Sequence, residues 1–417
     1  MRIPAALTIA IVVFVASLGV AIAQRPDAFS ESRSHAAIDY NSAPFHTAID
    51  DLNRKLEEGA AALTFDPASG YLRSTLDALH VPIESQMLVY TQTSMQAPKI
   101  NQGNPRAIYF TDSISVAWVR GGSVLEAWAQ DPRQGTIFYT LDQEPSRAPR
   151  FGRRLECVTC HVTWETLAVP GPTVLTTFPR KTDRDYADGH AVDHRSDVEE
   201  RWGGWYVTGR QAPAKHLGNL PLFLAPPFPE SAAPRLSVDG AFDLTGYPTP
   251  YSDIVALMVF EHQTRMMNLM TRAGWESRVA ALGRGDRAAA AARVRNAVND
   301  LVDYMLFVDE APLTKRIEGS SGFAERFSAI GPRDAKGRSL RDLRLETRLM
   351  RYPLSYLIYS PAFDALPDDV KDATCRRLHD VLSGKDTSPK FAHLTPPVRQ
   401  AILEILKDTK TSVVDGL

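Results

Sequence analysis

The chain has 417 residues, 44% apolar and 23% charged, with a formal net charge of -2. That length suits two or three domains with real cores. The near-zero charge gives no support for a nucleic-acid partner, which needs a basic surface, and three cysteines are too few for a disulfide framework.

The first residues read as a secretory signal over 1–23. Arg2 supplies a positive start, Ala5 to Ile22 is almost wholly apolar, and Ala21-Ile22-Ala23 before Gln24 is a small-x-small cleavage site. No later apolar run is long enough to span a bilayer, so the expected mature protein is exported, periplasmic or secreted, with no stable membrane span.

Residues 24–141 form the first expected region. After a polar lead-in, Ile49, Leu52, Leu56 and Ala60 recur at helical spacing, and a second short helix is expected from Tyr71 to Leu79. Short β-rich runs follow at 87–90, 107–110, 114–119, 124–128 and 136–139. Turn signals such as Asn104-Pro105, Gly121-Gly122 and Asp131-Pro132 separate them. An antiparallel meander is the simplest arrangement. It delivers the chain to Cys157-Val158-Thr159-Cys160-His161, inside a loop-rich, proline-rich stretch spanning 142–250.

From 251 to 417 the pattern is mainly helical. Helices are expected at Ser252 to Arg272, Arg287 to Phe307, Leu340 to Ile358, Asp368 to Leu382 and Pro397 to Thr409. The fold class is therefore α+β: a β-rich N-terminal part, a loop-rich centre and a helical C-terminal part. Cys375, on the fourth of these helices, reads as a buried small hydrophobe.

Two cysteines three apart with a histidine directly after them admit three chemistries. A thioredoxin-like pair would sit at a strand-to-helix junction. A zinc site would want a second pair of ligands at knuckle spacing. The third is covalent haem attachment, in which each sulfur adds to a porphyrin vinyl group and the histidine lies beneath the iron.

Cys157, Val158, Thr159, Cys160 and His161 resemble the attachment motif of c-type cytochromes. The resemblance covers five residues and implies one covalently attached haem c, thioethers at Cys157 and Cys160, and His161 as proximal iron ligand. The motif lies mid-chain, unlike that of a small class I cytochrome, so the class I fold is not carried over. It occurs once, which excludes a multihaem wire. The function implied is electron transfer by an exported monohaem cytochrome, with a redox partner protein. The alternatives are a haem-dependent peroxidase or oxidase, and a haem-based small-gas sensor or binding protein.

The sixth iron ligand separates these readings. His262, with Met258 and Met266 on one helical face and Glu261 and Gln263 beside it, is the leading candidate for sixth ligand or distal residue. His190 and His194, with Asp188 and Asp193, and His216 are further options, the first two reading more naturally as surface residues. In Arg201-Trp202-Gly203-Gly204-Trp205-Tyr206, the arginine is a candidate partner for a haem propionate, as are Arg153 and Arg154. The competing reading of that stretch is an aromatic strand in the core.

Overall fold

A computed structural model describes residues 28–177, 189–221, 236–283 and 285–414; the expected signal segment and Asp188 lie outside them. The fold is α+β. An antiparallel sheet occupies the N-terminal half, and helices dominate the C-terminal part. Two helices, α1 (Ala48–Glu57) and α2 (Leu72–Ala78), precede the sheet.

The meander forms as the turn signals demand. Its strands are β1 (Met87–Val89), β2 (Arg106–Phe110), β3 (Ile114–Trp118), β4 (Val124–Asp131), β5 (Gly135–Asp142) and β6 (Gly152–Arg153). The longest pair, β4 and β5, is joined by a turn in which the Asp131 carboxylate accepts the backbone N–H groups of Arg133 at 2.8 Å and Gln134 at 2.5 Å. Gly135 follows at φ 84°, which only glycine adopts without strain.

The loop-rich stretch adds three two-residue strands: β7 (Leu175–Thr176), β8 (His190–Ala191) and β9 (Trp205–Tyr206). The first two pair with each other, while β9 adds to the edge of the main sheet, giving the order β6-β5-β4-β3-β2-β1-β9. Trp205 and Tyr206 thus serve as the buried aromatic strand.

Period-two alternation gives the sheet two faces. One carries Tyr139, whose hydroxyl donates to Asp50 of α1 at 2.9 Å. The other carries Phe110, Trp128 and Phe138. It packs partly on helix α4 (Ile254–Ala281), where the Phe260 ring lies 4.8 Å from Phe110 and 6.3 Å from Trp128.

Nearly all of the 28 residues of α4 are buried, as expected of a helix in the middle of a core rather than on its surface. Asp253 caps it, its carboxylate accepting from Val255 at 2.9 Å and Ala256 at 3.3 Å. Helices α5 (Arg287–Met305), α6 (Phe323–Ala329), α7 (Pro361–Asp364), α8 (Asp368–Leu382), α9 (Pro396–Thr409) and α10 (Thr411–Val414) follow. Cys375 is buried on α8.

The helix expected over Leu340 to Ile358 does not form; only Tyr356–Tyr359 makes a 3-10 turn. The backbone carbonyls of Leu345 and Thr347 instead accept from Ile317 at 2.8 Å and Leu313 at 3.1 Å. Pro353 cannot donate within a helix. The apolar residues there face the core from an irregular strap.

Candidate functional site

Cys157 ends a 3-10 turn (Leu155–Cys157), and the one-turn helix α3 (Val158–His161) follows without a break. Residues 157, 160 and 161 stand at i, i+3 and i+4, so both thiols and the imidazole share one face. Both cysteines are free; Cys157 is half-buried and Cys160 exposed.

His161 is held by Nδ1, the ring nitrogen nearer its backbone. Its Nδ1–H donates to the Gly171 carbonyl at 3.1 Å, and the Gly171 N–H returns a bond to the His161 carbonyl at 3.0 Å. The ring lies 4.6 Å from that of Phe138. Burial is the main influence on this imidazole; it lowers the pKa and favours the neutral form. Nδ1 is then the protonated nitrogen, and Nε2 carries the free lone pair. No hydrogen bond engages Nε2 among the described residues. A backbone carbonyl fixing the tautomer while the other nitrogen stays open is the usual arrangement of a metal-ligating histidine.

Gly171 is itself positioned by α4. The Asn268 amide donates to the Pro172 carbonyl at 2.9 Å, and a Cβ at 171 would run into that amide. Helix α4 therefore sets the height of His161 through one loop.

The sheet beneath α3 contributes charge. Glu126 on β4 lies opposite Thr140 on β5, two residues along from the Trp128–Phe138 pair and on the same face. Arg106 of β2 pairs with Glu126 at 2.9 Å. Both groups act electrostatically on His161. Glu126 also raises the pKa of Cys157, after burial, to about 11. The Arg106 Nε is buried with no hydrogen-bond partner among the described residues. Arg154 Nε donates to Thr140 Oγ1 at 2.7 Å, on the same face.

Two large apolar side chains flank α3 in solvent, Leu155 at 39% and Trp164 at 60% exposure. The donor set fits a porphyrin iron. There are two reachable thiols, one open imidazole nitrogen, cations suited to carboxylates, and uncovered apolar side chains for a large flat body. Among the described residues, no three His, Cys, Asp or Glu side chains are grouped to hold a metal ion by themselves.

His262 is placed differently from its expected role. It is fully buried on α4 with both nitrogens engaged, Nδ1 with His194 Nδ1 at 2.9 Å and Nε2 with Ser355 Oγ at 2.8 Å. Its ring stacks on Phe307 at 4.4 Å. No nitrogen is left for iron, which removes it as sixth ligand. Met258 and Met266 are likewise buried core residues.

His194, expected at the surface, is buried because it partners His262; His190 is exposed on β8, and His216 is buried against Trp202. Arg201 is 2% exposed and spends its guanidinium on Glu261 at 3.0 Å and on the Ser196 and His194 carbonyls. It is not available to a propionate. Arg153 donates to the Tyr40 and Asn41 carbonyls, which leaves Arg154 and the unforeseen Arg106. A charge beside or within a mainly apolar β-run, Arg106 at the start of β2 and Glu126 in the run 124–128, was the signal in the sequence.

No helix among the described residues is long and apolar enough to cross a membrane. No family model, curated protein or solved structure matches this chain.

Proposed function

We propose that the protein is an exported monohaem c-type cytochrome that transfers electrons to or from a redox partner protein. The observation that carries this reading is the His161 imidazole, anchored through Nδ1 to Gly171 with Nε2 open, on the same helical face as two free thiols. Cys157 and Cys160 would hold the haem and His161 its iron. When bound, the haem supplies a one-electron ferrous–ferric couple. The chain's own part would be to orient that imidazole through Gly171 and Asn268, with Phe138 packed against its ring, and to offer Arg106 and Arg154 to the haem carboxylates.

Electron transfer is favoured over the peroxidase and oxidase alternatives. A general acid or base must reach its substrate, and Glu261, His262 and Gln263 are enclosed in the core with protein partners.

The test is production in a host with c-type maturation machinery. Haem should remain on the chain after denaturation, and a Cys157→Ala, Cys160→Ala double variant should lose it. The spectrum should be six-coordinate and low-spin in both oxidation states. A persistently high-spin ferric spectrum would overturn electron transfer, and absence of covalent haem would overturn the whole reading.

A further inference from the structure

The loop that brings Gly171 back to His161 holds the only adjacent pair of non-glycine residues with positive φ among the described residues, Leu167 at 61° and Ala168 at 57°. In that left-handed region Cβ crowds the following carbonyl oxygen, so such a pair persists only where its surroundings over-determine it. Part of the constraint is internal. Thr166 Oγ1 accepts from the Thr163 N–H at 2.9 Å and donates to the Thr163 carbonyl at 3.1 Å, and the Ala168 N–H donates to that same carbonyl at 2.8 Å.

The rest comes from the N-terminal lead-in. The Phe29 N–H donates to the Leu167 carbonyl at 2.8 Å. The Phe29 ring stands edge-on to Trp275 of α4. On the next residue of that helix, the buried Glu276 carboxylate accepts from the Ser30 N–H at 3.1 Å and the Ser30 hydroxyl at 3.3 Å. Further along, the Tyr40 hydroxyl donates to the Thr136 carbonyl at 2.6 Å, and the Thr136 N–H donates to the Pro170 carbonyl at 3.4 Å. The lead-in thus grips the loop directly at Leu167 and through β5 at Pro170, the residue before the carbonyl that fixes His161 Nδ1. Released from these contacts, Leu167 and Ala168 would relax toward negative φ, and rotation there swings the Gly171 carbonyl that follows.

We propose that the lead-in is a positioning clamp for His161. Glu276 holds residues 29 and 30 against the Leu167–Ala168 turn, Tyr40 secures Pro170, and together they keep the Gly171 carbonyl on the imidazole. Neither Glu276 nor Tyr40 touches that ring; both are positioning residues acting through the loop. The use of the clamp for an iron ligand rests on the haem-attachment reading above, whereas its hold on the imidazole does not require haem.

The test follows the His161 Nδ1–H by NMR in the full chain with isotope-labelled histidine. Exchange of that proton with water is measured in ferrous holoprotein and in the chain without haem, with covalent haem quantified on every holoprotein sample. Glu276→Ala should speed exchange about tenfold, the effect of losing one hydrogen bond to a charged acceptor. Glu276→Gln keeps an acceptor for the Ser30 N–H and should stay near wild type. Tyr40→Phe deletes one hydroxyl and should also speed exchange. The ring N–H of His262, buried on the same helix, should be unaffected by every variant, which separates a loosened loop from a weakened fold. Adding Ala168→Gly to Glu276→Ala should restore slow exchange, because glycine holds positive φ without strain. Unchanged His161 exchange in both Glu276→Ala and Tyr40→Phe, equal acceleration at His262, or no recovery with Ala168→Gly overturns the clamp. Absence of covalent haem from wild type overturns the attachment reading alone, since the comparison in the haem-free chain still decides the clamp.

Discussion

Glu261 shows how strongly single residues in α4 are set by their surroundings. It is fully buried, and burial pushes its carboxyl up to about 7, with the Arg201 cation pulling back only part of that rise. A carboxyl whose folded pKa lies above its unfolded value contributes stability below the unfolded value, and loses that contribution as pH rises through the folded one. Wild-type protein should therefore lose stability relative to Glu261→Gln between pH 4.5 and about 7, at up to about 1.4 kcal/mol per pH unit. The buried histidines act with the opposite sign. Burial lowers His262 to about 3 and His216 to about 4, so each costs stability as pH falls below its ordinary value near 6.5. With Glu261 removed that acid-side loss is unopposed, and the variant should show the steeper dependence. Chemical denaturation of both proteins across this range checks the prediction; parallel pH profiles would refute it.

At the level of elements, the start of α4 concentrates more interactions than a cap alone. The Asp253 side chain is fully buried. Besides capping its own helix it accepts from the backbone N–H groups of Ser320 and Ser321, both at 2.8 Å, and from the Ser321 hydroxyl at 2.9 Å. Asp253→Ala should cost about 3 kcal/mol, above the ~1 kcal/mol of an ordinary cap, because buried donors lose their acceptor. Urea denaturation measures it, and a loss below about 1 kcal/mol would show that Ser320 and Ser321 find other partners. Much at this scale was legible in advance. The meander was expected because its strands are consecutive and separated by turn residues, so each pairs with its chain neighbour. The helix over Leu340 to Ile358 was misread because its leucines recur at helical spacing, while its backbone pairs with residues 313–317. That choice is made by tertiary contacts.

Across the whole molecule, α4 links regions that composition had suggested were separate. Phe260 packs on the sheet, Asn268 holds the loop under His161, and Trp275 reaches the N-terminal lead-in, its ring 5.1 Å from Phe29. The Cys157–His161 motif stood out in the sequence because its five residues are adjacent. Arg106 and Glu126 could not be read the same way. They come from strands well upstream, and they reach the Cys157–His161 helix only through sheet register. His262 failed as a ligand candidate for the same reason run backwards. Its helical face was inferred correctly as shared with Met258 and Met266, but that face turned out to meet His194, Ser355 and Phe307 in the core.

The solvent-facing position of the attachment helix also bears on how the protein matures. Its thiols do not depend on being buried for the fold to close, since His161 is fixed by Gly171 and the core beneath is already packed. On the haem-attachment reading proposed above, folding and attachment would be separable events, with a folded chain able to receive the haem. Such an apoprotein should react with a thiol reagent first at Cys160, more slowly at the half-buried Cys157, and at Cys375 only after unfolding. Mass mapping of the labelled chain would reveal that order. Early labelling of Cys375 would mean that the chain stays unfolded until its prosthetic group arrives.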